Sequence, residues 1–327
     1  MGLKGLSIIL LAAAFPSIWA MPIDHLDCNA NRSLCSTGDV LLKTRIIGRD
    51  QNGRPQDDRM DLHELARIHN WPKSKLQMML NNTGKIHCPD MPLIVGGGRY
   101  MLDAFIVGSN VTLATAEHAF FRRDGNPFIP IEKFKECYFE NRVGDRARLV
   151  FERDSHKFGN KVTIHKLQNA NRTEPRGILR DWGIIRLAHP LPNAHGIRVD
   201  PDGVMPNKGQ RLLNVSQYQD GMPSRYKGKT IGQYCINGKN HFSVRATCDS
   251  SGGISGSIMA VEEGPAAVVA IGIVTRGIAA DPANGFEDGD DFDDQTNYTF
   301  VVPFDIEIVG EIRRIAGGRP VSYRSAR

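Results

Sequence analysis

The feature that most constrains the fold of this chain is a series of short apolar runs between residues 93 and 302. Each run is three to seven residues long, and glycine, proline or polar residues separate it from the next. Runs of this length suit β-strands, and many in succession are typical of a β-sandwich or β-barrel. The runs are 93–95, 104–107, 111–114, 147–151, 162–165, 182–187, 212–215, 258–261, 268–274 and 298–302.

Two segments carry a helical pattern instead. Residues 61–80 have apolar side chains at helical spacing, interrupted at Pro72, which predicts one or two amphipathic helices. Residues 304–315 predict a closing C-terminal helix, since the glycines and proline of 317–320 follow it. Because the pattern becomes strand-like near Gly84, we expect 21–87 to be a pro-region or accessory segment outside the strand-rich domain. That domain is then 88–318, followed by a basic tail at 319–327.

The first twenty residues have the pattern of a secretory signal peptide. Lys4 precedes an apolar run at 6–15, Pro16 ends the run, and Ala20 provides a small residue before the expected cut. About ten apolar residues are too few to span a bilayer, although an uncleaved anchor is the alternative. No later apolar run is long enough for a membrane helix, so we expect a secreted protein, extracellular or periplasmic.

Charge and cysteine content narrow the class of protein further. Removal of residues 1–20, with one lysine and no acid, lowers the net charge from +5 to +4, too mild for a nucleic-acid binder. An even number of cysteines behind a signal peptide favours disulfides, and the spacings fit no zinc site. We therefore expect no cofactor or metal and a monomeric protein. The six cysteines are Cys28, Cys35, Cys88, Cys137, Cys235 and Cys248.

An acidic stretch at 287–294 has two interpretations. Several carboxylates could bind calcium, but their spacing fits no calcium loop, so a solvated loop is the favoured interpretation.

A candidate nucleophile lies in the segment Gly253-Ile254-Ser255-Gly256-Ser257, just before an apolar run. Glycines allow a sharp turn that exposes the Ser255 hydroxyl. The main-chain N–H groups of Gly253 and Ser255 could then form an oxyanion hole. Turns of this composition are common, so the motif by itself does not establish a site.

A serine nucleophile needs a base, and the base needs a buried acceptor that orients it. His118 follows the run 111–114 directly and has the best setting of the ten histidines. Asp181 opens the strongly apolar run 182–187, where an unpaired carboxylate would be costly. Each residue singly also fits an ordinary surface position, but together they occur in the order His, Asp, Ser.

These segments resemble the trypsin-like (chymotrypsin-fold) serine peptidases. Residues 115–119, 181–187 and 253–257 are similar to the family's histidine, aspartate and serine motifs, and 271–277 to its substrate-pairing strand. The spacing of Cys248 to Ser255 is similar to the bacterial V8-like glutamyl endopeptidases. The resemblance covers 93–316 and implies two packed antiparallel six-stranded β-barrels with a C-terminal helix, preceded by the partly helical N-terminal segment.

The resemblance also implies disulfide pairings and assigns substrate contacts. Cys235 would pair with Cys248 and Cys88 with Cys137, which leaves Cys28 with Cys35. Asp249, Thr275 and Gly277 take substrate-binding positions, and Asp249 occupies the pocket floor that binds Lys or Arg in animal trypsins. Since Val274 stands where acid-preferring relatives have a histidine, we expect cleavage after Lys or Arg first, then small apolar residues, and least after acidic ones.

Two departures from the family pattern concern activation and the base. Residues 94–97 look like the mature N-terminus of animal trypsins, but they lie too close to His118, and Ile254 replaces the aspartate that would receive a new N-terminus. We therefore expect no insertion-type activation. Glu117 places a charge beside His118, where we expect it to point to solvent.

The combined pattern predicts a secreted serine endopeptidase that acts on polypeptides through an acyl-enzyme. We expect it to bind no nucleic acid and, once the signal peptide is cleaved, no membrane. The alternative is an inactive pseudo-peptidase that only binds. A non-proteolytic acyl hydrolase is a third interpretation, but Ser255 lacks the strand-turn-helix setting of α/β-hydrolases.

Overall fold

The computed structural model describes twelve stretches of the chain, all within one compact unit of residues 38–327. They are 47–48, 51–52, 54, 56–89, 101–121, 126–159, 180–203, 205–217, 224–238, 244–250, 253–279 and 297–317. Several predictions lie outside these residues: the signal peptide at 1–20, Cys28 with Cys35, the 94–97 segment, the run 162–165, the acidic stretch 287–294 and the tail 319–327.

Seven strands form the first sheet. Its order is β4-β3-β2-β5-β6-β8-β7, and β8 also pairs with β4, so six of the strands close into a barrel. The strands are β2 (Thr83–His87), β3 (Met101–Ile106), β4 (Thr112–Thr115), β5 (Tyr138–Asn141), β6 (Arg146–Val150), β7 (His156–Phe158) and β8 (Gly183–Leu187).

Eight strands form the second sheet, with the order β1-β11-β10-β13-β14-β15-β12 and with β9 added beside β14. A bridge between Asn237 and Ala246 joins the end of β11 to β12, so β10–β15 encircle a second barrel. The strands are β1 (Met60–Asp61), β9 (Arg198–Val199), β10 (Arg211–Gln217), β11 (Thr230–Ile236), β12 (Val244–Ala246), β13 (Ile258–Glu262), β14 (Val268–Ala279) and β15 (Asn297–Pro303). The predicted double-barrel fold is confirmed.

Alternation along the strands divides the core into three parts. In β3, Leu102 and Ile106 point into the first barrel, whereas Phe105 packs between the barrels. In β10, Leu212 points into the second barrel and Leu213 packs between the two. Successive side chains of a strand face opposite sides, so each such strand contributes to its own barrel and to the seam.

In the part of the chain that the structure describes, three α-helices pack against this core: α1 (Leu62–Ile68), α2 (Lys73–Asn82) and α3 (Ile306–Ala316). The Asp305 side chain accepts the N–H of Ile308 and caps α3, whose apolar face is buried. Pro72 precedes α2 directly, which is where the sequence placed the interruption. The predicted C-terminal helix is therefore confirmed, and of the one or two helices predicted within 61–80 the structure has two. Among the described residues, no helix has the length and apolar character to cross a bilayer.

The N-terminal helices and the residues around them are part of the barrels. β2 pairs on one side with β3 and on the other with β5, and β1 pairs with β11. A β-carbon on Gly84 would lie 2.1 Å from the Glu140 carbonyl oxygen, so only glycine allows β2 to approach β5 this closely. The prediction that 21–87 lies outside the barrels is therefore wrong for residues 60–87. The reason is that β2, Thr-Gly-Lys-Ile-His, has a single aliphatic residue and so no apolar run.

Both disulfides within the described residues have the pairing that the family resemblance implies. Cys88 follows β2 and pairs with Cys137, which precedes β5, whereas Cys235 of β11 pairs with Cys248. The described residues contain no free cysteine.

Candidate active site

The antiparallel pairing of β4 with β8 brings His118 and Asp181 together. Thr115, the last residue of β4, is paired with Gly183, the first residue of β8. His118 lies three residues after Thr115, in a single 3₁₀ turn, and Asp181 lies two residues before Gly183. The two side chains therefore leave the same end of the ladder, although 63 residues separate them in the chain.

The Asp181 carboxylate holds His118 at two points. One oxygen accepts the main-chain N–H of His118 and the other lies against the ring Nδ1, both at 2.9 Å. Asp181 is 1% exposed, whereas the His118 side chain is 29% exposed. We infer from this contact the tautomer with the proton on Nδ1, which leaves Nε2 free to accept a proton. This is the geometry of an oriented general base.

Ser255 lies on a tight turn between two glycines with positive φ, Gly253 at +95° and Gly256 at +89°. The N–H of Ser257 donates to the carbonyl of Ile254 at 3.0 Å and closes the turn. The N–H of Gly256 donates to the Val274 carbonyl at 2.8 Å, which ties the turn to β14.

Gly256 also brings the Ser255 turn against the first barrel. A β-carbon on Gly256 would lie 1.9 Å from the Asp103 carbonyl oxygen and 2.6 Å from the Thr115 hydroxyl. That hydroxyl donates to the same Asp103 carbonyl at 2.8 Å. Because Thr115 ends the strand that leads to His118, the serine turn packs at the base of the histidine turn. The structure thus places the three predicted catalytic residues on either side of one seam between the barrels.

The Ser255 hydroxyl donates to the Thr275 carbonyl oxygen at 2.8 Å. A hydroxyl has a single proton to donate. In this arrangement the proton is directed at β14, and proton transfer to His118 requires rotation about the Ser255 side chain.

Thr275 and Gly277, the predicted substrate-pairing positions, both lie in β14. Gly277 is paired with Thr299 of β15. The Thr275 side chain is fully buried, and its hydroxyl has no hydrogen-bond partner. Thr275 therefore offers its main chain to the site and not its side chain.

Asp249, the predicted pocket floor, is engaged by the chain itself. It is 1% exposed, and its two carboxylate oxygens accept the main-chain N–H groups of Ile47 and Asp58, each at 2.7 Å. Burial raises the pKa of Asp249 to about 7, although these two hydrogen bonds act in the opposite direction. The structure does not have the open carboxylate that a Lys or Arg side chain would need.

Two further acidic residues, Glu117 and Asp103, are buried near the site. Glu117, which we expected to point to solvent, is 3% exposed, so that expectation is wrong. Asp103 was not predicted as a site residue, although a carboxylate inside the run of β3 is a visible anomaly. Its Oδ2 accepts the N–H of Gln217 at 3.0 Å, its Oδ1 has no hydrogen-bond partner, and burial raises its pKa to about 7.

A cavity of about 200 Å³ lies beside α3 and contains none of the predicted site residues; it is lined by Gly108, Arg198, Val199, Val309, Ile312, Arg313 and Ala316. No group of three or more His, Cys, Asp or Glu among the described residues is placed to hold a metal ion.

Three solved structures are similar to this chain. A Glu endopeptidase, solved in complex with MPD, has a TM-score of 0.51 at 11% identity, covering 80% of this chain and 98% of that chain. A thermostable serine protease, AL20, from an extremophilic microorganism has a TM-score of 0.44 at 14% identity, covering 73% and 99%. The protease Anisep from Arthrobacter nicotinovorans has a TM-score of 0.45 at 10% identity, covering 74% and 98%. The first of these likenesses shows the double-barrel fold of serine proteases.

In sequence, no protein-family model matches the chain, and no curated protein matches it significantly.

Proposed function

We propose that the protein is a secreted serine endopeptidase with His118, Asp181 and Ser255 as its catalytic triad. The observation that carries the proposal is the two-point contact of the Asp181 carboxylate with the main chain and ring of His118. A buried carboxylate that orients an accessible imidazole beside a glycine-flanked serine is the arrangement that activates a hydroxyl nucleophile.

In the proposed reaction, His118 Nε2 takes the Ser255 proton as the oxygen attacks a peptide carbonyl carbon. Asp181 stabilises the imidazolium that forms, and the N–H groups of Gly253 and Ser255 donate to the developing oxyanion. His118 then protonates the leaving amine, and an acyl-enzyme remains on Ser255. Water, activated by the same imidazole, releases the second product. The stretch Thr275–Gly277 of β14, which lies beyond the part of the strand that β13 pairs, is the proposed place where the polypeptide substrate pairs in an extended conformation.

One observation favours a second candidate, an inactive module that only binds polypeptides. The Ser255 hydroxyl donates to the Thr275 carbonyl and not to the histidine. If this hydrogen bond persisted in the presence of substrate, the serine would not be activated.

A fluorophosphonate probe separates the two candidates, since it reacts only with an activated serine. We expect labelling of the secreted wild-type protein and none of Ser255→Ala or His118→Ala, with peptide hydrolysis lost in both. Ser224→Ala, at an exposed serine, is the matched control and keeps both signals. Hydrolysis of simple esters without hydrolysis of any peptide would indicate an acyl hydrolase, and absence of labelling would indicate a binding module. N-terminal sequencing of the secreted form tests the expected cut after Ala20.

A further inference from the structure

Asp249 lies six residues before Ser255 and holds a distant part of the chain in place. Its Oδ1 accepts the N–H of Ile47 and its Oδ2 the N–H of Asp58, residues that are 202 and 191 positions away. A main-chain bond from the Gln56 N–H to the Gly48 carbonyl, at 3.2 Å, draws the same two ends together. We call the described residues of this part of the chain, 47–48, 51–52, 54 and 56–58, the N-terminal strap.

The strap continues directly into the second barrel. Residues 60 and 61 form β1, in which Met60 is paired with Gly232 and Asp61 with Ile231 of β11. Arg59 is buried, and its guanidinium is paired with Asp57 at 2.8 Å. Asp249 therefore holds both ends of the strap, and β11 holds the residues that follow it.

Behind Asp249, a chain of buried amides leads to the nucleophile turn. The Gln233 side chain accepts the main-chain N–H of Asp249 at 3.0 Å and donates to its carbonyl at 2.7 Å. The same amide donates to Asn214 at 3.2 Å, and Asn214 donates to the Ser257 hydroxyl at 3.0 Å. The chain ends two residues from Ser255. Gln233 binds the main chain of Asp249, so a shift of that main chain after loss of the carboxylate would reach the Ser255 turn through these buried contacts.

A carboxylate that selects Lys or Arg must offer its oxygens to an open pocket. At Asp249 both oxygens already accept short N–H bonds, and the residue is 1% exposed. Binding of a guanidinium there would require the strap to leave, and the loss of two buried hydrogen bonds would oppose it.

We propose that Asp249 is a positioning residue. It fastens the N-terminal strap to the second barrel and, through Gln233 and Asn214, supports the turn of Ser255. It does not select the substrate side chain before the cut. This inference rests on the proposed peptidase function for its kinetic part only.

The test compares Asp249→Ala and Asp249→Asn with Asp58→Ala in the full secreted protein. Asp58→Ala is the matched control, because it removes a carboxylate of the strap but keeps the N–H that binds Asp249. Hydrogen exchange at the amides of Ile47 and Asp58 is measured first. We expect both amides to be protected in the wild type and to exchange about tenfold faster or more in the Asp249 variants, but not in the control.

The kinetic readout uses peptides that differ only in the residue before the cut. We expect kcat/KM to fall in the Asp249 variants by a similar factor for Arg, Leu and Ala peptides, mainly through kcat, with their ratios preserved. Selective loss of the Arg and Lys peptides, with unchanged exchange at Ile47 and Asp58, overturns the proposal in favour of a substrate ligand. Unprotected wild-type amides at these two positions overturn it even if no variant folds. If the wild type reacts with neither peptide nor fluorophosphonate, the proposed function is wrong. The exchange experiment still shows whether Asp249 holds the N-terminal strap.

Discussion

The main-chain N–H and the ring Nδ1 of His118 each lie 2.9 Å from a different oxygen of Asp181. The aspartate therefore fixes both the position of the histidine turn and the orientation of its ring. An asparagine retains one acceptor oxygen only, so it can accept a hydrogen bond from the main-chain N–H or from the ring Nδ1–H of His118, but not from both.

For Asp181→Asn we expect kcat to fall by about 10⁴-fold, the loss that follows when the orienting acid of such a triad becomes an amide. KM should change little, because Asp181 is buried and does not face the substrate. Steady-state kinetics on one peptide substrate measure both constants. Asp202→Asn, the same charge change at an exposed position, is the control. A kcat within about tenfold of the wild type would remove Asp181 from the triad.

Gly256 is expected to tolerate no side chain. Gly256→Ala adds a methyl group 1.9 Å from the Asp103 carbonyl oxygen, at a φ of +89°. The backbone strain of an alanine there is about 1 kcal/mol, and the clash adds to it, so we expect a total loss of about 3 kcal/mol or more in the free energy of unfolding. Gly144→Ala is the matched control, since its φ is +91° and a β-carbon there meets nothing within 4 Å.

Urea denaturation of both variants separates the clash from the backbone strain. Equal losses in Gly256→Ala and Gly144→Ala would show that the two barrels do not approach each other at this turn.

Asp103 is expected to make folding sensitive to pH. Its pKa is raised from 3.8 to about 7 by burial, so the folded state binds the proton more tightly than the unfolded chain does. Stability is therefore highest below the unfolded pKa and falls as the pH rises from about 4 to about 7. Asp103→Asn removes this loss, which amounts to at most about 4 kcal/mol.

The measurement is the free energy of unfolding against pH for wild type and Asp103→Asn. Asp249 titrates in the same window, but it contributes to both proteins and cancels in the difference. We expect the difference to grow in favour of the variant from about pH 4 to about pH 7 and then to level off. A difference that is constant across this window contradicts the prediction, and the exposed Asp202→Asn is measured in parallel as the control.

Two fully buried threonines should respond oppositely to valine, which has nearly the same shape. The Thr275 hydroxyl has no partner, so Thr275→Val removes an unsatisfied group and should be neutral or stabilising by about 1 kcal/mol. The Thr115 hydroxyl donates to the Asp103 carbonyl, so Thr115→Val should destabilise by about 1–2 kcal/mol. Thermal unfolding of the two variants gives the comparison, and a larger loss at Thr275 would mean that its hydroxyl has a partner.

The sequence by itself determined the strand-rich architecture, the helical character of 61–80 and 304–315, and the order of His118, Asp181 and Ser255. These features leave local patterns: runs of apolar residues, a helical spacing with its stop signals, and glycines around a serine. Through the family resemblance, it also led to the two disulfides that the structure contains. Each of these inferences depends on residues that are close together in the chain or on a motif that they form.

Only the tertiary structure decided which distant residues meet. β2 is part of the first barrel because Gly84 allows a close approach to Glu140. Its sequence has no apolar run from which a strand could be predicted. Asp249 looked like a pocket floor from its distance to Ser255, whereas its partners are main-chain N–H groups 191 and 202 residues away. A main-chain donor is present at nearly every residue, so it leaves no pattern in the sequence. What a buried carboxylate does therefore depends on the neighbours that folding brings to it, and those the sequence does not show.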